Sequence, residues 1–267
     1  MAVPLPRRHA VTEPALSAPI NATCPWSGDP VRPDSLTRYR GHSVGFCNPG
    51  CRDKFATAVA QFDAIIAGEA GPTLLRRADL DPTPARLAEA ALVIIDAQEE
   101  YRSGALPLSG IEAAVERLGA LLAAARAAGS PVIHVVHRGR AGGLFDLAGP
   151  GGAILAELRP VPGEAVIEKD LPSAFAGTSL HEQLRAAGRP DLLLAGFMTH
   201  MCVSTTARAA LDLGHRVTLA ADATATRALP DPLGGPALAA AEVQRAALAS
   251  LADRFAIVVP TAALLPA

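Results

Sequence analysis

The segment LLLAGFMTHMCVSTTARAALDLGHRVTL, residues 192–219, runs from an apolar stretch through Gly196 and a short polar bend to Cys202, at the mouth of a helix. Backbone N–H groups and the helix dipole stabilise a thiolate at such a point, so Cys202 reads as a nucleophile. Two further residues close apolar runs: Asp96 ends ALVIID and Lys169 ends AVIEK. A thiol near its ordinary pKa of about 8.5 is mostly protonated at neutral pH. A carboxylate within reach can accept its proton, and an ammonium beside it stabilises the anion. The chain has only two lysines, Lys54 and Lys169, so each answers a need that arginine does not meet. Taken singly, the three residues have ordinary readings as a small buried hydrophobe, a turn residue and a solvated cation. Their joint occurrence at strand ends favours chemistry.

The other three cysteines lie apart from Cys202. Cys24 is followed by Cys47 and Cys51, the last two at i, i+4 spacing where a helix starts, so their sulfurs can share one ion. Three thiolates are one ligand short of a closed tetrahedral zinc site. Ser27 stands where a further ligand is expected, which leaves His42, Asp29 or water for the fourth position.

The elements that must position these groups follow from periodicity. Residues 1–20, rich in Pro and Ala, read as a flexible tail. Residues 21–66 form a small cysteine-bearing unit ending in a helix whose Phe55, Val59, Phe62 and Ile66 share one face. Residues 67–86 read as a linker, and 87–267 as the main domain. In that domain, strands are expected at 91–96, 131–137, 165–169, 191–197, 216–223 and 255–260. Helices are expected around Ile111–Gly129, near 152–158, at 178–187, after Cys202 and at 236–252. Continuous apolar strands alternating with helices predict a parallel sheet covered on both faces. In such a sheet all strand carboxyl ends share one edge, where Asp96, Lys169 and Cys202 can converge.

Composition narrows the partners. Half of the 267 residues are apolar, and the net charge of −2 gives no reason to expect nucleic acid or an anionic membrane. No run approaches the roughly 18 apolar residues of a membrane helix, and no secretory signal opens the chain. A small-molecule substrate and a cytoplasmic setting are expected, where cysteines serve metals or catalysis rather than disulfides.

The segments ALVIIDAQEEY, VIEKDLPSAFAGTSL and LLLAGFMTHMCVSTTARAALDLGHRVTLAADATAT resemble the isochorismatase-like cysteine hydrolases, over roughly residues 87–262. The resemblance implies a three-layer αβα sandwich with a six-stranded parallel sheet in order 3-2-1-4-5-6, and a triad of Asp96, Lys169 and Cys202. It also implies a non-proline cis peptide at Phe197–Met198 that turns the N–H groups of Met198 and Cys202 into an oxyanion hole. The activity implied is cleavage of a small amide, carbamoyl, lactam or ester substrate through a Cys202 acyl-enzyme, by a homo-oligomer (dimer or tetramer). Gln98, Tyr101, His137, Phe145, Phe175 and His200 are the candidate substrate contacts. The HVVHRGRAGGLFD segment offers His134 and His137 but not the Asp-x-His metal pattern of nicotinamidases, so catalysis is expected to need no cofactor. The retained cysteine favours thiol-mediated acyl transfer over the vinyl-ether hydrolysis of true isochorismatases. The Gly-rich loop 139–152 lacks a Gly-Lys-Ser/Thr ending and reads as an active-site loop. Separately, CPWSGDPVRPDSLTRYRGHSVGFCNPGCRDKF resembles TRASH/YHS-type treble-clef modules, which implies zinc on Cys24, Cys47 and Cys51. The alternative readings are a metal-responsive binding protein on a non-catalytic scaffold, and a true isochorismatase or nicotinamidase.

Overall fold

A computed structural model of the chain describes residues 18–66 and 71–266. Most of the expected tail, and residues 67–70 of the expected linker, lie outside the described residues. The chain divides into two compact units with the boundary between Pro72 and Thr73.

The first unit is built on an antiparallel hairpin, β1 (Leu36–Tyr39) and β2 (His42–Gly45), in the register Leu36↔Gly45 to Tyr39↔His42. Arg40 and Gly41 link the strands with φ of 47° and 85°, the left-handed pair that a two-residue hairpin turn demands. Helix α1 (Pro49–Ile66) opens with proline, and the Asn48 Oδ1 accepts the Cys51 N–H at 3.0 Å as its cap. Phe46 stacks on Trp26 at 5.3 Å and meets Phe55 at 5.2 Å, forming a small aromatic core. The expected apolar face of α1 is covered only over its first half: Phe62 and Ile66 are exposed. A hairpin of four-residue strands is too short to cover an 18-residue helix.

In the second unit the strands are β3 (Ala90–Ile95), β4 (Val132–His137), β5 (Ala165–Lys169), β6 (Asp191–Phe197), β7 (Arg216–Ala225) and β8 (Ile257–Val259). They form one parallel sheet in the order β5-β4-β3-β6-β7-β8, which is 3-2-1-4-5-6 in chain order within the unit. The chain winds outward in one direction from β3 and in the other from β6, so a crevice opens between their carboxyl ends. Alternation along β3 sends Leu92 and Ile94 to one core layer, and Val93 and Ile95 to the other. The first layer packs on helix α3 (Ile111–Ala127), whose Ile111, Val115, Leu118, Leu122 and Ala125 are all buried. The second packs on α4 (Leu180–Ala186), α5 (Ser204–Asp212) and α6 (Ala240–Arg254).

Local departures from the expected pattern have local causes. The short helix expected near 152–158 is two separate 3₁₀ turns, Pro150–Gly152 and Ala156–Leu158. Thr178 is not inside α4; its Oγ1 accepts the Leu180 N–H at 3.2 Å ahead of the helix. Within the segment read as linker, α2 (Leu74–Arg77) forms a helical turn whose Leu74 N–H is accepted by Asp253 of α6 at 2.9 Å.

Candidate active site

Asp96 follows β3 directly, Lys169 is the last residue of β5, and Cys202 lies in a π-helical turn, Thr199–Val203, between β6 and α5. A wide turn at this point reopens the helix entry and sets the thiol against the sheet edge. Asp96 adopts the left-handed region (φ 46°), and conformations of this kind in non-glycine residues cost on the order of 1–3 kcal/mol and cluster at functional sites. The peptide bond between Phe197 and Met198 is cis. Gly196 (φ 114°) is required here, because a Cβ would collide with the Ile95 carbonyl of the neighbouring strand.

The three side chains meet. The Lys169 ammonium lies 2.7 Å from Asp96 Oδ2 and donates to Cys202 Sγ at 3.3 Å, and the Lys169 and Asp96 side chains are wholly buried. The Cys202 thiol lies beside the same carboxylate, and both Asp96 oxygens are buried without a well-formed hydrogen bond. Burial pushes the Asp96 carboxyl above its ordinary range, against the pull of Lys169. Burial and the Asp96 charge together push the Cys202 thiol up to about 12, with Lys169 only partly offsetting them. Burial and the carboxylate therefore work against a thiolate in the resting site, and the ammonium works for it. The proton stays on sulfur beside a carboxylate of raised basicity.

Tyr101 is buried in edge-on contact with Phe145 (5.0 Å) and Phe197 (6.0 Å). Its hydroxyl is pushed up by burial and by the charges of Asp96 and Cys202, which places the phenol beside the triad. Phe145 is also buried and meets the His137 ring at 5.2 Å. The loop that carries it is pinned down: Gly139 N–H donates to Phe145 O at 2.9 Å, and Asp146 accepts from the N–H groups of Gly142 and Ala148. His200 pairs through Nδ1 with the Thr226 hydroxyl, while its Nε2 is buried without a partner.

Two candidate contacts are corrected. Gln98 is fully buried, and its amide grips backbone: Nε2 donates to His137 O and Gly152 O at 3.0 Å, and Oε1 accepts the His137 N–H at 2.8 Å. It fixes the end of β4 and has little left to offer a substrate. Phe175 stacks on His215 at 5.9 Å, and His215 precedes the amino end of β7, whereas the triad occupies the carboxyl ends.

His134 and His137 are three residues apart on one strand and therefore face opposite ways. His134 meets Glu164 at 2.9 Å, and His137 Nδ1 lies 3.3 Å from the Lys169 ammonium, so the two do not form a metal pair. One charged residue near these side chains escaped the sequence reading. Arg227, just past β7, exerts its charge on both Tyr101 and His200 and has no acidic partner among the described residues. Its signal was a cation directly after a strand's carboxyl end.

In the first unit, Cys24, Cys47 and Cys51 bring their sulfurs within 4.8 Å of one another. Neither Asp29 nor His42 joins them; instead the Ser27 hydroxyl and the Asn48 amide each donate to Cys47 Sγ at 3.2 Å. Burial opposes ionisation of Cys24, but backbone N–H groups of Cys47, Ser27 and Trp26 outweigh it and lower the thiol to about 6.

Sheet order, switch-point crevice and buried Asp–Lys–Cys constellation together define an α/β fold with a candidate active site at Cys202. Residues 90–263 match the isochorismatase domain. The secreted isochorismatase effector of Verticillium dahliae is 42% identical over 179 residues, 67% of this chain and 91% of that protein. Streptothricin hydrolase of Streptomyces noursei is 39% identical over 177 residues, 66% of this chain and 64% of that protein. The crystal structure of an isochorismatase from Pseudomonas putida KT2440 superposes with a TM-score of 0.71 at 48% identity, covering 73% of this chain and all of that one. The chain belongs to the isochorismatase family. It is a hydrolase, in a family where amidohydrolases recur. The first of these relatives is secreted, so membership does not itself place the chain in the cytoplasm. No helix among the described residues is long and apolar enough to cross a membrane.

Proposed function

We propose that the protein hydrolyses a small amide, carbamoyl, lactam or ester substrate through a Cys202 thioester. The observation that carries this reading is the buried Lys169 ammonium held between Asp96 at 2.7 Å and Cys202 Sγ at 3.3 Å. As sulfur attacks the carbonyl carbon, its proton passes to Asp96, and the carbonyl oxygen takes up negative charge against the N–H groups of Met198 and Cys202. The intermediate collapses, the C–N bond (C–O in an ester) breaks, and the leaving nitrogen or oxygen takes the proton from Asp96. Water then attacks the thioester, giving a proton to Asp96, and the restored thiol leaves with that proton on sulfur. Lys169 keeps one positive charge beside whichever of the two groups is anionic. Arg227, with Tyr101 and the free Nε2 of His200, suits a substrate that carries a carboxylate or another anionic group away from the scissile bond.

The three clustered thiols of the first unit fit one zinc or similar thiophilic ion, held by Cys24, Cys47 and Cys51 with its fourth position left to a ligand other than His, Asp or Glu. In this reading the ion has a structural role and takes no part in hydrolysis. Supporting it are the convergence of the sulfurs and the ease of ionising Cys24.

The decisive experiment is a panel of small amides and carbamoyl compounds, with and without a carboxylate, followed by mass spectrometry of the acid-quenched protein. An adduct of one acyl group on the peptide carrying Cys202 is expected. Turnover by a Cys202→Ala variant would overturn the reading.

A further inference from the structure

Lys169 is one of only two lysines in the chain, placed at its most crowded point. An ammonium has three N–H bonds and no acceptor. Three acceptors surround it: Asp96 Oδ2 at 2.7 Å, Cys202 Sγ at 3.3 Å and His137 Nδ1 at 3.3 Å. Because the ammonium can only donate, Nδ1 of His137 must carry the lone pair and its ring hydrogen must sit on Nε2. His137 and Lys169 are register partners on adjacent strands, so the contact is set by the sheet itself.

We infer that His137 is a positioning residue for the hydrolytic reaction, holding the Lys169 ammonium on the line between carboxylate and thiol. The inference rests on the acyl-enzyme reading above. The support around His137 is consistent with this role. Its backbone N–H and C=O are both gripped by the buried Gln98 amide, and its ring is braced by the edge contact with Phe145. Gln98, misread as a substrate contact, thereby gains a purpose: it fixes the residue that fixes the lysine. Without the imidazole, the third N–H of a buried ammonium has no partner, and the flexible four-carbon stem can swing away from the thiol as its charge develops.

The neutral ring is the working form. Lys169 from β5 opposes its protonation, whereas Asp170, beyond the end of β5, favours it; Arg138 neutralises Asp170 in turn at 2.8 Å. Gln98 and Phe145 contribute no charge. Burial acts with Lys169 to hold the His137 pKa below its ordinary value, so the ring stays neutral through the neutral pH range.

The test uses the full chain and any substrate it turns over. Asn carries its amide oxygen close to where Nδ1 sits, whereas Gln carries it one bond further out. His137→Ala and His137→Gln should lower kcat about 10- to 100-fold, the scale of a small misplacement of a reacting group, with KM within about threefold. His137→Asn should retain most of kcat and flatten the acidic limb that ring protonation contributes to the pH profile. If His137→Ala fails to fold, the Asn-against-Gln contrast decides the matter. Equal kcat in Asn and Gln variants, or a rise in KM with kcat unchanged, would overturn the inference, the latter making His137 a substrate contact. Cys202→Ala separates the two claims. Full turnover by that variant sinks the acyl-enzyme reading, whereas loss of turnover there with wild-type kcat in His137→Ala sinks only this one.

Discussion

Cys24 and Cys202 are both almost inaccessible to solvent, yet their thiols are driven in opposite directions, to about 6 and about 12. At Cys202 burial is the largest cause, whereas at Cys24 it is outweighed, and the groups that each sulfur faces differ as well. Cys24 meets backbone N–H groups from Trp26, Ser27 and Cys47, all donors that welcome an anion. Cys202 meets a carboxylate as well as an ammonium, so its anion gains one favourable neighbour and one unfavourable neighbour. The first environment suits a permanent thiolate, as a metal ligand must be. The second keeps the proton on sulfur until a carbonyl carbon is there to take up the electron pair. Depth in the protein and the sign of the groups around the sulfur together decide what each cysteine does.

The most severe way to break the comparison is to remove the reactive sulfur. Cys202→Ala should lower kcat/KM by on the order of 10⁴-fold or more, as loss of a nucleophile does elsewhere, with circular dichroism unchanged. Asp96→Asn should approach that loss, because an amide cannot accept the thiol proton. In the wild type, activity should decline with acid at a pH above the ordinary carboxylate range, since Asp96 must be ionised to act and its pKa is raised.

Lys169→Arg comes next. The charge is kept, but a planar guanidinium cannot aim three donors at Asp96, Cys202 and His137, and about a 10²-fold fall in kcat is expected. Wild-type turnover in this variant would reduce Lys169 to a background charge.

The two cysteine environments can also be separated by metal and alkylation. Elemental analysis should find one ion per chain in the wild type and none in a Cys24→Ala/Cys47→Ala variant, with hydrolysis within about twofold in both. Without metal at pH 7, iodoacetamide should label the N-terminal thiols before Cys202, and zinc should protect only the former. An ion that survives removal of the cysteines would place it at the sheet edge instead.

The smallest effect concerns the framework beside the site. Glu164 is held at about 2, first by Arg126, with His134 contributing. A carboxylate depressed in the folded state adds stability above its unfolded value of about 4.5, and that stability is lost as pH falls towards 2. Acid unfolding of Glu164→Gln followed by circular dichroism should therefore show a shallower dependence between those limits, with activity at neutral pH nearly unchanged.

Much of this was legible locally. Apolar runs of five to seven residues broken by Gly129, Gly188 and Gly214, together with the buried stripe of α3, state the alternation of strand and helix without reference to anything distant. Chain order then places Asp96, Lys169 and Cys202 on one edge, because parallel strands share their carboxyl ends. The destinations of side chains within that edge were a different matter. Gln98 and Phe175 lie near site-bearing segments, yet one closes on backbone and the other turns to the opposite end of the sheet. Arg227 entered the site from a strand whose end carried no other signal. The ionisation of Cys202 was also invisible, since it depends on a carboxylate 106 positions away in the chain. Periodicity and order are properties of neighbours along the chain and survive in the sequence. Distance, direction and local dielectric arise only when strands remote in sequence pack together, so tertiary structure alone decided which polar atoms meet, and with what charge.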